Sequence, residues 1–228
     1  MNFRWAVVAF RVVLSLAAFV GAVLTATGPA TTTGLLPYFS IQTNLAIAVV
    51  AGYAAVRAWR GDRQLSPVVK GAATLYLSIT ALVYHLVLTN SASGFAAVSD
   101  GSPGTAYTEV GNHLLHTVAP LLAVLDWLLF DEHGHFRWLY AVIWLAYPLG
   151  YLGFALVRGL IRTEQPRYPY PFVDVTKLGY SGVAVSAIVL AVAFLLLGLI
   201  FVGIDRLLAR HWPSAGLLSV GRTRQAPQ

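Results

Sequence analysis

Six stretches of this chain are apolar over about 20 residues or more, long enough to cross a hydrocarbon layer as a helix, and nothing else limits its fold so severely. They fall at about 5–27, 38–59, 69–90, 108–130, 137–161 and 178–207. The runs are continuous instead of alternating, which argues against a β-barrel, and no repeat of domain size is visible. Charged residues make up 11% of the chain against 57% hydrophobic ones. A soluble domain needs about a quarter charged residues to cover its surface, so a cytosolic or secreted globular enzyme is excluded. The predicted fold class is an all-α integral membrane protein, a six-transmembrane-helix bundle in one domain over residues 1–212. A polar tail over 213–228 is predicted to be disordered. The first stretch reads as a retained helix, because its apolar run is too long for a signal peptide and Ala26-Thr27-Gly28-Pro29 is a poor cleavage site.

The chain has no cysteine, which removes disulfides, thiolate nucleophiles and Cys-ligated zinc from consideration. Its net charge of +6 reads as orientation and not as nucleic-acid binding. Counted by alternate loops, one side holds Arg4, Arg57, Arg60, Arg63, Lys70, Arg137, Arg206, Arg210, Arg222 and Arg224, and the other Arg158, Arg162, Arg167 and Lys177. That bias puts both termini in the cytoplasm. The outer segments are then 28–36, 91–107 and 162–177. An Ala/Val/Leu/Arg-rich composition points to a bacterial cytoplasmic membrane.

Polar side chains inside spans are costly, so their depths are informative. Ser40, Thr43 and Asn44 share one face at the outer end of the second span, and Gln42 points elsewhere. His85 lies five residues before Asn90 in the third span, roughly 8 Å below the outer boundary. Asn112, His113 and His116 enter from the same side in the fourth. Pro120 has no N–H and frees the carbonyl of His116, and Pro148 does the same to Trp144 in the fifth span. Two kinked helices facing a polar pocket are therefore expected. At the inner depth, Arg11 and Asp126 are expected to form a structural ion pair or to snorkel, while His133 and His135 in the short inner loop are expected to be solvated.

A hydroxyl beside an imidazole, away from bulk water, makes a nucleophile and its general base. Ser40 or Thr43 is the candidate hydroxyl. His116 is the candidate base, and Asn112, one turn earlier, could orient its ring or donate to an oxyanion. No carboxylate is placed to complete a triad. Spacing alone favours a different reading, in which these groups hydrogen-bond across helices. A metal or haem site from His85, His113 and His116 is weaker, since the carboxylates usual in bundle sites are lacking, and no metal or other cofactor is expected. A non-catalytic lipid or small-molecule binding protein or transporter using the same pocket is the alternative to an enzyme; against a transporter stand the small size and the absence of a charge series at mid-depth.

Three segments carry a likeness: Tyr38-Phe39-Ser40, Asn112-His113-Leu114-Leu115-His116-Thr117 with Pro120, and Tyr170-Pro171-Phe172. With their order and the six-span plan, the chain resembles the six-helix membrane family of the androgen-induced protein and the androgen-dependent TFPI-regulating protein. The resemblance implies an intramembrane threonine-type hydrolase of fatty acid esters of hydroxy fatty acids. It puts the nucleophile at Ser40, where the animal relatives have Thr, with Thr43 as the fallback, and the base at His116. The expected partners are membrane lipids and an amphiphilic lipid ester. Arg158, Arg162 and Arg167 are candidates to hold a fatty acid carboxylate, although interfacial anchoring suits them equally. Tyr170 is a substrate-binding candidate that, with Tyr168 and Phe172, also fits an aromatic belt.

Overall fold

The computed structural model describes residues 3–26, 36–96, 106–163 and 165–211. The expected turn at 28–36 and loop at 91–107 fall largely outside these residues, and the tail at 213–228 lies wholly outside them. Six helices are long and apolar enough to cross a membrane, which makes this a multi-pass membrane protein. They are α1 (Phe3–Ala26), α2 (Phe39–Arg60), α3 (Pro67–Leu88), α4 (Ala106–Phe130), α5 (Trp138–Ile161) and α6 (Val175–His211). Their outward faces carry large apolar side chains such as Val49, Leu149, Val185 and Ile188. Lipid accepts such a surface without cost, so this bundle is not turned inside out; its interior differs from its exterior mainly in packing and polarity.

Two kinds of packing divide the bundle. In the first, α1 lies along α2 and against α4, and α3 packs on both α2 and α4. The shared core is rich in small residues, with Ala18, Ala48, Ala51, Ala73, Ala119 and Ala123 buried. On α2 the buried alanines recur at 48, 51, 54, 55 and 58, a helical stripe that lets backbones approach closely. Ser15 exploits this proximity by donating to the Ala48 carbonyl at 2.7 Å.

The second kind joins α5 and α6 to the rest through aromatic rings. Phe39, Trp127, Phe136, Trp144, Tyr151, Phe172 and Phe201 form one buried cluster. Trp127 stacks on Phe201 at 4.7 Å between ring centres, and the Trp144 indole N–H donates to the Val68 carbonyl at 3.0 Å. Tyr168 lies so close to Gly159 that a Cβ there would stand 2.0 Å from the ring. Large, stiff rings at a helix junction pack less completely than alanine stripes, and the cavity described below opens among them.

The kinks expected from proline are present. In α4 the backbone widens into a π turn over Leu114–Val118, with the Ala119 N–H reaching the Leu114 carbonyl five residues back. A second π turn, Tyr84–Leu88, ends α3. α5 breaks at Trp144 and Leu145, between helical segments Trp138–Ile143 and Ala146–Ile161. α6 bends at Gly179, whose φ of 67° suits a residue without Cβ.

At the end opposite these turns, Arg11 and Asp126 pair at 3.0 Å, as expected. Two partners enlarge the pair. Arg11 also meets Asp131 at 3.0 Å, and Lys70, counted above as a loop cation, is buried on α3, where it contacts Asp126 at 2.6 Å and also pairs with Asp131. Two cations and two carboxylates thus neutralise one another inside the bundle.

The loop between α4 and α5 corrects one expectation. His135 is open to solvent, but the His133 side chain is only 9% exposed and packs on α6. Its Nδ1 lies 3.4 Å from Asp205 and its Nε2 lies 3.2 Å from the Leu128 carbonyl. Asp205 also accepts the Gly134 and Phe136 amides at 2.9 and 2.8 Å. Sequence position suggested a solvated loop because Asp205 is distant in the chain. Burial by itself lowers the His133 pKa, but the hydrogen bonds to Asp205 and Leu128 outweigh it and leave the group raised above its ordinary value. A pKa raised on folding stabilises the fold below the unfolded value of about 6.5, and that contribution fades as pH climbs through the raised value. The purified protein should therefore melt at a lower temperature as pH rises from about 6 to about 8, and His133→Gln should flatten that dependence. An unchanged slope in the variant would remove His133 from the account.

Candidate active site

Phenols tie the first turn of α2 to the middle of α5. Tyr147 donates to Gln42 Oε1 at 2.7 Å and Tyr151 to the Pro37 carbonyl at 2.8 Å. Phe39 packs between their rings, with ring centres 5.3 and 5.2 Å away. These contacts fix the first turn of α2 and turn Gln42 toward α5, leaving Ser40 on the inner face. Ser40 and His116, each 8% exposed, line one cavity together with Thr80, Tyr84, Tyr151 and Tyr170. Its remaining walls are apolar residues of α2, α3, α5, α6 and the segment before α6, and its empty space, mouth included, is about 790 Å³.

His116 is held in a defined state. Its Nδ1 lies 3.0 Å from the Asn112 carbonyl, an acceptor only, so Nδ1 carries the proton and Nε2 of the neutral ring has a free lone pair. Tyr84 stacks on the ring at 4.0 Å with 14° between planes. Asn112 therefore orients the imidazole through its backbone, where its side chain was expected to do so. No hydrogen bond joins Ser40 and His116; they share the cavity wall.

Ser40 lines the cavity beside Tyr170, whose phenol its side chain meets, and its backbone is tied down. Its carbonyl accepts from Thr43 Oγ1 at 3.2 Å and Asn44 Nδ2 at 2.8 Å, and its N–H donates to the Tyr170 oxygen at 3.3 Å. Asn44 Nδ2 also donates to the Leu115 carbonyl at 3.2 Å, tying the first turn of α2 to the π turn of α4. Thr43 is buried against Thr80, its hydroxyl 2.9 Å away, and does not line the cavity. Tyr170, in the segment before α6, is partly buried. Burial pushes its phenol up to about 12 despite hydrogen bonding from Ser40, so it keeps its proton at neutral pH.

The other candidates fall outside the cavity. His113 is exposed. His85 is exposed on α3 and meets Thr117 Oγ1 at 3.1 Å across a neighbouring depression that reaches the far side of His116. The three histidines do not converge, and no metal-binding group of His, Asp and Glu occurs among the described residues. Arg158 donates to the Pro166 carbonyl at 3.3 Å and to that of Arg167, and Arg167 Nε donates to the Arg162 carbonyl at 2.6 Å. These arginines hold their own loop. Neither Arg158 nor Arg162 lines the cavity.

Three cavity residues went unnoticed in the sequence: Thr80, Tyr84 and Tyr151. Thr80 was readable in principle, being a hydroxyl five residues before His85 on a span already singled out. The two tyrosines look like ordinary span aromatics until the π turn and the α5 break aim them inward. Comparison with protein-family models, with curated proteins and with solved structures finds no match for this chain, so its own side chains carry the functional reading.

Proposed function

We propose that this protein is an intramembrane hydrolase of lipid esters, with Ser40 as nucleophile and His116 as general base. The observation that carries the reading is the shared cavity wall: the hydroxyl residue Ser40, and a buried imidazole whose Nδ1 is engaged by the Asn112 carbonyl, leaving the Nε2 lone pair free. In the proposed reaction His116 Nε2 takes the Ser40 proton as the oxygen attacks the ester carbonyl. The tetrahedral adduct collapses, and the departing alkoxide leaves as an alcohol with the proton from His116. Water, deprotonated by the same nitrogen, then cleaves the acyl-serine and releases the acid. Tyr170 accepts the Ser40 amide and keeps its own proton, which it can give to the carbonyl oxygen where charge develops.

Closing the gap between Ser40 and His116 is the work of bound substrate, as catalytic hydrogen bonds often tighten only in the complex. Membership of the androgen-induced protein family belongs to this proposal. It rests on the Asn112 to Thr117 stretch and Pro120, and the Thr-to-Ser difference at residue 40 retains a hydroxyl at the nucleophile position.

A fluorophosphonate probe on the detergent-solubilised protein tests the assignment. Labelling of wild type and Thr43→Ala, lost in Ser40→Ala and His116→Ala, is the expected result. An unlabelled wild type beside a reactive control hydrolase would favour a lipid-binding or transport role for the cavity.

Orientation is part of the same reading: the cavity end faces outward and the ion-pair end faces the cytoplasm of a bacterial-type membrane. The chain has no cysteine, so single cysteines can be read without background. In intact cells a membrane-impermeant maleimide should label Thr163→Cys directly and Ser66→Cys only after permeabilisation. The opposite pattern would invert the topology.

A further inference from the structure

We infer that the ester taken into this cavity is uncharged along its buried chain, a neutral long-chain acyl ester and not one whose chain carries a free carboxylate. The inference rests on the cavity being the substrate site. Its side-chain polar atoms belong to Ser40, Thr80, His116 and three phenols, and among the described residues no Lys or Arg lines it. The sequence explains why. Between Lys70 and Arg137 the chain has no Lys or Arg, so α4 and most of α3 bring none to this end. The cations at this end are Arg158, Arg162, Arg167 and Lys177, and Arg158 and Arg167 donate to loop carbonyls.

Donors inside are few as well. Tyr151 gives its proton to the Pro37 carbonyl, and the neutral His116 gives its own to the Asn112 carbonyl. An acyl chain running from Ser40 along Leu152, Leu190 and Phe194 meets only apolar surface. A carboxylate on that chain would leave water without a cation or a set of donors to replace it, which is among the costliest transfers a site can impose. The fatty acid esters of hydroxy fatty acids implied by the resemblance carry such a group and would have to keep it at the cavity mouth.

A matched pair of substrates tests this: para-nitrophenyl dodecanoate against the mono-para-nitrophenyl ester of dodecanedioic acid, which differs in its terminal carboxylate. In neutral-detergent micelles at about pH 8, kcat/KM should favour the neutral ester by at least about tenfold, with the gap narrowing as acid protonates the carboxylate. Equal or faster turnover of the acidic ester would overturn the inference. Binding is read separately by calorimetry on Ser40→Ala with dodecanamide and its terminal-carboxylate counterpart. If neither ester turns over but the neutral amide binds at least about tenfold more tightly, the hydrolase reading fails and the charge selectivity stands. Equal binding of the two amides would overturn it.

Discussion

Replacing His116 with alanine should lower kcat for a lipid ester by about a thousandfold, with KM changed only slightly. The direction follows from position. His116 lies in the wall beside Ser40 with its Nδ1 proton committed to the Asn112 carbonyl, so its removal takes away the only imidazole nitrogen that, among the described residues, lines the cavity and can accept a proton. The apolar surface that would bind the chain is untouched, which is why binding should survive. Ser40→Ala should cause a loss of the same order, and the double variant little more, because a nucleophile and its base act as a unit. Thr43→Ala should keep most of the activity, since the Thr43 hydroxyl is engaged with Thr80 away from the cavity. Steady-state kinetics on the purified variants decide the matter: near-wild-type turnover in His116→Ala would end its assignment as base.

The second large effect is on stability. Arg11→Ala should destabilise the protein by about 3–5 kcal/mol, because it strips a buried cation from two carboxylates and leaves Lys70 to balance both. The guanidinium also donates to the Ala54 carbonyl at 3.3 Å, so α1 loses a tie to α2 as well. The pair replaced together, Arg11→Met with Asp126→Asn, should recover much of the loss, since breaking a buried ion pair costs far more than deleting both charges. Unfolding in graded denaturing detergent measures both variants. A single variant as stable as wild type would mean that the network is solvated in the membrane-embedded protein. Activity in the folded fraction should be unaffected, because Asp126 lies ten residues, about 15 Å, along α4 from His116.

Much of this architecture was legible from local pattern. Span number came from apolar run length, which lipid enforces without reference to the rest of the fold, since an unpaired backbone in hydrocarbon is intolerable. The irregularity of α4 and α5 could be anticipated from Pro120 and Pro148, because a missing N–H is a local fact. The Arg11–Asp126 pair was readable from depth, as two opposite charges in apolar surroundings have few alternatives to each other.

What remained hidden depends on facing and on contacts between residues far apart in sequence. The histidine cluster looked like a single group at one depth, yet His113 turns outward, His85 pairs with Thr117, and only His116 enters the main cavity, because a π turn shifts which side chains a helix presents. Asn112 acts through its carbonyl, which no residue-type argument would select. Arg158 looked like a carboxylate clamp until the return of the 166–167 backbone occupied it. Lys70, Asp131, and the Asp205 that captures His133 needed the helices to be packed before their partners could be named.

The sequence by itself determined that the chain crosses a membrane six times, where two of its helices bend, and which polar groups lie at which depth, because hydrophobicity, proline and helical rise are properties of each segment. The tertiary structure decided that Ser40, His116 and Tyr170 meet in one apolar cavity while Thr43, His113 and the arginines do not. That outcome turns on the rotation of each helix about its axis, which the rings of α5 and α6 and the Asn44 bridge between α2 and α4 set together.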